Sequence, residues 1–219
     1  AQRACDRLIE GGWQPEGFLS FSKSKVTCDL GVNGMVLSIL AYFHCVDERV
    51  HRIAEYLLEH QSGDGHWDPY LGNICLKYQF DTTLQVLEGL SEYTLLNPER
   101  KLIFDSAIRL GIEFLLRYRL YLNDRDEPLE KKWTQFSFPP RWHYDVLAVM
   151  DYLYRTGTEY DDRMKNAMSL IKLKMRRNGR LSLQNRHPGK TFFEMEIVGE
   201  PSRWNTLRAL RVLSIKSEF

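Results

Sequence analysis

The sequence predicts an all-α fold of about four helical hairpins, on three observations. An apolar phrase with helical spacing occurs four times, each copy follows a polar entrance, and further amphipathic stretches lie between the copies. The copies are Leu37-x-x-Leu40-x-x-Phe43, Leu84-x-x-Leu87-x-x-Leu90, Leu147-x-x-Met150-x-x-Leu153 and Leu207-x-x-Leu210-x-x-Leu213. Their entrances are Asn33-Gly34, Asp81-Thr82-Thr83, His143-Tyr144-Asp145 and Trp204-Asn205-Thr206, so one kind of helix is built repeatedly with its polar end in the same place.

The intervening stretches supply partner helices. The chain opens in helix over Ala1 to Ile9, and Gly11-Gly12 offers a terminator, because glycine accepts a left-handed backbone without steric cost. Asp47 to Gln61 places Val50, Ile53, Ala54, Leu57 and Leu58 on one face. Pro98 to Tyr121 does the same with Ile108, Ile112, Leu115 and Leu116, and Tyr160 to Arg177 with Met164, Ala167, Met168, Ile171 and Met175, closed by Asn178-Gly179. Two long loops remain. Tyr121 to Pro140 holds a charged run, Asn123 to Glu127, and then Phe136-Ser137-Phe138-Pro139-Pro140, which the two prolines keep extended. Leu181 to Pro201 carries an alternating piece, Thr191 to Glu196, with the pattern of a short strand. Loops this long in a compact helical domain point to a binding role.

At 219 residues, 43% hydrophobic and 27% charged, the chain can bury a substantial core, and one repeat domain over 1–219 is expected. A formal net charge of +1 gives no global field toward nucleic acid or an anionic membrane. No apolar run reaches the roughly 20 residues a membrane-spanning helix needs. The four cysteines, Cys5, Cys28, Cys45 and Cys75, form no C-x-x-C pair, so reduced, mostly buried thiols in a cytoplasmic protein are expected. Opening at Ala1 inside a helix, the chain is expected to begin within a longer protein or after processing.

Gln61-Ser62-Gly63-Asp64-Gly65-His66-Trp67 follows a helical stretch ending at His60 and reads Q-x-x-x-G-x-W. This resembles the QW motif of squalene-hopene and oxidosqualene cyclases and is similar to turns in protein prenyltransferase beta subunits. Gly11-Gly12-Trp13 and Asn178-Gly179-Arg180-Leu181 look like degraded copies. Together with Phe138 to Asp145 and Pro201 to Leu213, the resemblance extends over nearly the whole chain, to uncharacterised bacterial members of the prenyltransferase and squalene-oxidase repeat group. It implies an α/α toroid, here a partial one, whose inner helices point their N-terminal ends at a cavity. The motif is structural and brings no catalytic residue with it.

The departures bear on chemistry. The nearest approach to the cyclases' D-x-D-D is Glu159-Tyr160-Asp161-Asp162, placed where acids cap a helix. The D-x-C zinc pair of the prenyltransferases is absent, since Asp29 directly follows Cys28; Cys28, Asp29 and His143 are the residues left to gather by chance of fold, and no metal or cofactor is expected. The polar residues at the inner-helix entrances remain. Asp81, His143 and Asp145 are the candidate catalytic groups, since an acid or imidazole can pass a proton to an alkene or a glycosidic oxygen. Asn33, Arg141, Trp142, Tyr144, Arg203, Trp204 and Asn205 are the candidate ligand-binding residues, with Asp29 and Gln79 beside them. Asp81 as a simple helix cap and Arg203 as a partner of Glu200 are the bland alternatives.

The first functional expectation is an apolar, isoprenoid-type ligand in an aromatic-lined cavity, without nucleic acid. The alternatives are a non-catalytic helical-repeat scaffold that binds a peptide or protein on its concave face, and a carbohydrate-active α/α toroid lyase or hydrolase. Oligomeric state is not legible.

Overall fold

The computed structural model describes residues 1–23, 26–70 and 75–215. Among them the all-α class holds, with eight α-helices: α1 (Gln2–Gly12), α2 (Leu30–Tyr42), α3 (Glu48–Glu59), α4 (Leu76–Leu96), α5 (Lys101–Arg117), α6 (Val146–Arg155), α7 (Lys165–Lys174) and α8 (Arg203–Leu213). No described helix is long and apolar enough to cross a membrane. Asp29, Asp47, Asp145 and Ser202 start α2, α3, α6 and α8, each accepting a backbone N–H of the first turn. Asp161 does the same for a 3-10 turn before α7, which agrees with the capping role read for the acidic run there.

Three expectations need correction. Thr191 to Glu196 is loop and not strand; the short pairing is made by its flanks, β1 (Leu181–Ser182) against β2 (Pro201–Ser202), antiparallel. α4 begins at Leu76, so Gln79 and Asp81 lie inside the helix and Asp81 is no N-cap. Lys77, Tyr78 and Gln79 extend the helix ahead of its apolar periodicity. Gly11-Gly12 does not form the first turn, because α1 runs through both glycines and the turn uses Gly17.

The helix–turn–helix order repeats four times with one turn geometry. In Gln14–Phe18, Ser62–His66, Asn123–Glu127 and Arg176–Arg180, the first residue's N–H donates to the last carbonyl, and the fourth N–H donates back to the first carbonyl. The fourth residue takes a positive φ each time: Gly17, Gly65, Asp126 and Gly179 at 100°, 101°, 60° and 75°. The following N–H is then held by the next even-numbered helix. Leu19 donates to Asn33 Oδ1 at 2.7 Å, Trp67 to Thr83 Oγ1 at 3.1 Å and Leu181 to Thr206 Oγ1 at 3.0 Å. In the third turn that place is Pro128, which has no N–H. There the Tyr144 hydroxyl, just before α6, donates to Leu120 O at 2.7 Å instead.

The described chain divides into two compact units, residues 1–114 and 115–219. In the first, α2 packs on α4 around Leu37, Leu40, Leu87 and Leu90, with Ile53, Leu57, Trp67 and Phe104 completing a fully buried apolar core. Trp67 donates its indole N–H to Leu57 O at 2.7 Å, and Gln61 Nε2 donates to Gly65 O and Ala107 O, both at 2.8 Å. The glutamine thus ties its own turn to α5. In the second unit, α6 packs on α8 around Leu147, Met150, Ile171 and Val212, with Trp133 and Phe136 brought in by the long loop.

Candidate functional site

In the first unit the candidate residues sit in structural roles or inside a helix. Asn33 is fully buried; besides accepting from Leu19 N–H, its amide donates to Leu19 O at 3.0 Å and Asp29 O at 2.8 Å. Asp81 is half-buried on α4. A constellation missed in the sequence lies nearby. Buried His66 places Nδ1 2.5 Å from Asp64 and Nε2 3.4 Å from Asp68, whose other oxygen accepts from Gln79 at 2.9 Å. Among the described residues no three His, Cys, Asp or Glu side chains gather as a metal-ligand set.

The second unit gathers most of the candidates around two loops. Phe136 N–H donates to Gln184 Oε1 at 3.2 Å and Gln184 N–H returns to Phe136 O at 3.1 Å. Ser137 bridges Asn185 in parallel, which lays residues 136–138 along residues 184–187. Asn205, fully buried on α8, reaches across to Phe136 O at 3.2 Å. Glu196 fixes the far end of the second loop: it accepts from the Ser202 hydroxyl and from Arg203 N–H at 2.8 Å. The carboxylate that meets Arg203 is therefore Glu196, through the backbone, and not Glu200.

Between these loops lies a cavity of about 260 Å³. Phe138, Phe192, Phe193, Met195 and Pro139 form its apolar walls; its polar walls mix Arg141, Arg186, His187, Lys190 and Thr191 with the carboxylates of Glu194, which pairs with Arg186, and Glu196. Trp204 backs it by stacking flat on Phe138, centroids 5.2 Å apart and planes at 8°. Arg141 has a left-handed φ of 53° and donates to Pro188 O at 3.0 Å, which clamps one loop on the other. His143 stacks on His187 at 3.9 Å, and His187 Nε2 lies 2.8 Å from Ser137 Oγ. Burial, with the nearby His143 and Arg141, pushes His187 down to about 4, so its ring is neutral at physiological pH.

Of the candidates, Arg141 lines the cavity, while Trp204 and His143 stand one side chain behind it. Trp142 is half exposed beside His143, and Tyr144 is buried on Trp133. Asp145 caps α6 through Ala148 N–H at 2.7 Å, and its second oxygen is buried without a hydrogen-bond partner. Burial raises its pKa, against the pull of Arg208 and backbone N–H groups. Further along α6, Asp151 meets Arg208 at 3.5 Å. The residues missed were His187, Lys190, Phe192 and Phe193; paired phenylalanines amid the polar loop residues after Gly189 were the available signal. A second, polar depression of about 850 Å³ touches Glu159, Asp161 and Asp162, where Asp161 is bound to Arg163 at 2.8 Å.

Fold and site together define an all-α protein of repeated helix–turn–helix units with an aromatic cavity between two loops. No family model, curated protein or solved structure matches the chain.

Proposed function

We propose that the chain binds an apolar, isoprenoid-type molecule in the cavity of the second unit, as a member of the cyclase- and prenyltransferase-like repeat group with its hairpins in a partial α/α toroid. The turn shared by all four hairpins supports the group. The observation that carries the ligand is the wall of Phe138, Phe192, Phe193 and Met195, backed by Trp204 beside the start of α8. The reading is one of binding, with neutral His187 and the carboxylates of Glu194 and Glu196 as wall groups able to accept a proton.

Titration with farnesol, followed by tryptophan fluorescence, tests it. Trp204 reports through Phe138, so saturable quenching is expected, and Phe138→Ala lowers the affinity about tenfold, the effect of losing a little over 1 kcal/mol of apolar contact. No saturation, or equal affinity in the variant, overturns the reading.

The scaffold reading draws on α8, where Trp204, Leu207 and Leu210 are 42%, 43% and 53% exposed at helical spacing. If that face binds a peptide, Leu207→Asp abolishes peptide binding and leaves farnesol titration unchanged.

A further inference from the structure

The near-neutral total hides a strong asymmetry. Residues 1–114 carry 10 Lys and Arg against 16 Asp and Glu, whereas residues 115–219 carry 20 against 13. The excess is concentrated. From Arg163 to Phe193 there are nine cations and no acid.

We propose that this face of the second unit docks on an anionic lipid surface. Lys172, Arg176, Arg177, Arg180, Arg186 and Lys190 are exposed. Lys174 is not part of the face, because it is half-buried over the Phe136 ring at 5.4 Å. Arg176 ties the end of α7 to the second loop by donating to Ser182 Oγ at 2.7 Å and to Gly199 O, which brings the cationic end of α7 beside the loop that carries Ile197 and Val198. Among the described residues Lys172, Arg177, Arg180 and Lys190 have no carboxylate partner.

Large apolar side chains stand out among these cations. Phe192 is 97% exposed, Leu173 84%, Phe193 72%, Ile197 65% and Val198 52%. A polyanion with stacking bases would use the phenylalanines and leave Leu173, Ile197 and Val198 without a role. A bilayer uses all five, since aliphatic and phenyl groups enter the acyl boundary while Lys and Arg stay at the phosphates. Arg186, Lys190, Phe192 and Phe193 also line the cavity, whereas Lys172, Leu173, Arg177, Arg180, Ile197 and Val198 do not, so the docking face is tested apart from the cavity at Arg177 and Arg180.

The test is co-sedimentation of the full chain with phosphatidylcholine vesicles, with and without phosphatidylserine. The expected result is partition onto the anionic vesicles alone, weakened by salt. Arg177→Glu with Arg180→Glu reduces it by about 30-fold or more, each cation near the surface being worth about fivefold. Phe192→Ser with Phe193→Ser removes what persists at high salt. Arg177 and Arg180 do not line the cavity, so farnesol titration of that charge variant reports folding and tests the cavity separately; for the Phe192 and Phe193 variant, which alters the cavity wall, circular dichroism and urea unfolding report folding. In Phe192→Trp, a blue shift and quenching by brominated lipid place the side chain in the bilayer. Equal partition onto both vesicle types, or none, overturns the proposal. Charge-dependent binding that ignores Phe192 and Phe193 and is matched by single-stranded nucleic acid also overturns it, in favour of a nucleic-acid surface.

Discussion

Gly34 on α2 and Gly89 on α4 meet backbone to backbone: a Cβ on Gly89 would stand 2.3 Å from the Gly34 carbonyl oxygen. Contact this close admits no side chain, and it sets the distance between the two most intimately packed helices of the first unit.

Gly89→Ala is therefore expected to destabilise the chain by about 1–3 kcal/mol, despite the better helix propensity of alanine. Urea unfolding measures it. Gly63→Ala, where a Cβ meets nothing within 4 Å, is the control and should stay within about 0.5 kcal/mol. Equal effects at the two sites would show that the backbone contact does not set the packing.

The turn latches make a graded prediction. Asn33→Ala leaves both the N–H and the carbonyl of buried Leu19 without their side-chain partner and should cost about 2–4 kcal/mol. Thr83→Val removes one bond, to Trp67 N–H, and should cost about 1–2 kcal/mol. The reverse order in denaturant midpoints would refute the latch.

Asp145 predicts a pH dependence. Its folded pKa is raised by burial, so its contribution to stability is present below the ordinary carboxylate range and is lost as pH rises through the raised value. Asp145→Asn keeps an acceptor for Ala148 N–H and has no charge to bury. The variant should gain on the wild type as pH rises from acid to neutral; parallel stability profiles would contradict this.

The thiols should separate by access. Cys5 and Cys45 are buried, Cys28 is half-buried with burial pushing it up to about 12, and Cys75 is exposed. A disulfide reagent at mildly alkaline pH should modify Cys75 alone in a fast phase, which Cys75→Ser removes. A fast phase of two or more thiols would contradict the burial. The sequence expectation of mostly buried thiols thus meets its limit at Cys75, placed where α4 begins.

Legibility followed the kind of signal. Apolar periodicity located the helices, and the aspartates before α2 and α6 marked their starts, because capping is decided by a residue and its next three neighbours. The start of α4 escaped because its first turn has no capping side chain and no apolar rhythm. The third turn escaped because Asp126, not glycine, takes the left-handed position. The cavity was hardest. Asp145 and Asn205 have the composition of site residues, but their neighbours absorb them into the core, while His187 and Phe192 reach the cavity through a loop whose path depends on pairing with residues 136–138.

The four turns share a connection and not a residue. An amide, two hydroxyls on threonine and a phenol each join a turn or the end of a helix to the helix that follows, and where proline removes the donor, the join moves to Tyr144 and Leu120. Drift at these positions is therefore constrained by bonding role. Such a chain can shed its visible self-similarity while its wiring persists, and exchanges among Asn, Thr and Ser there are the changes it should absorb most readily over evolutionary time.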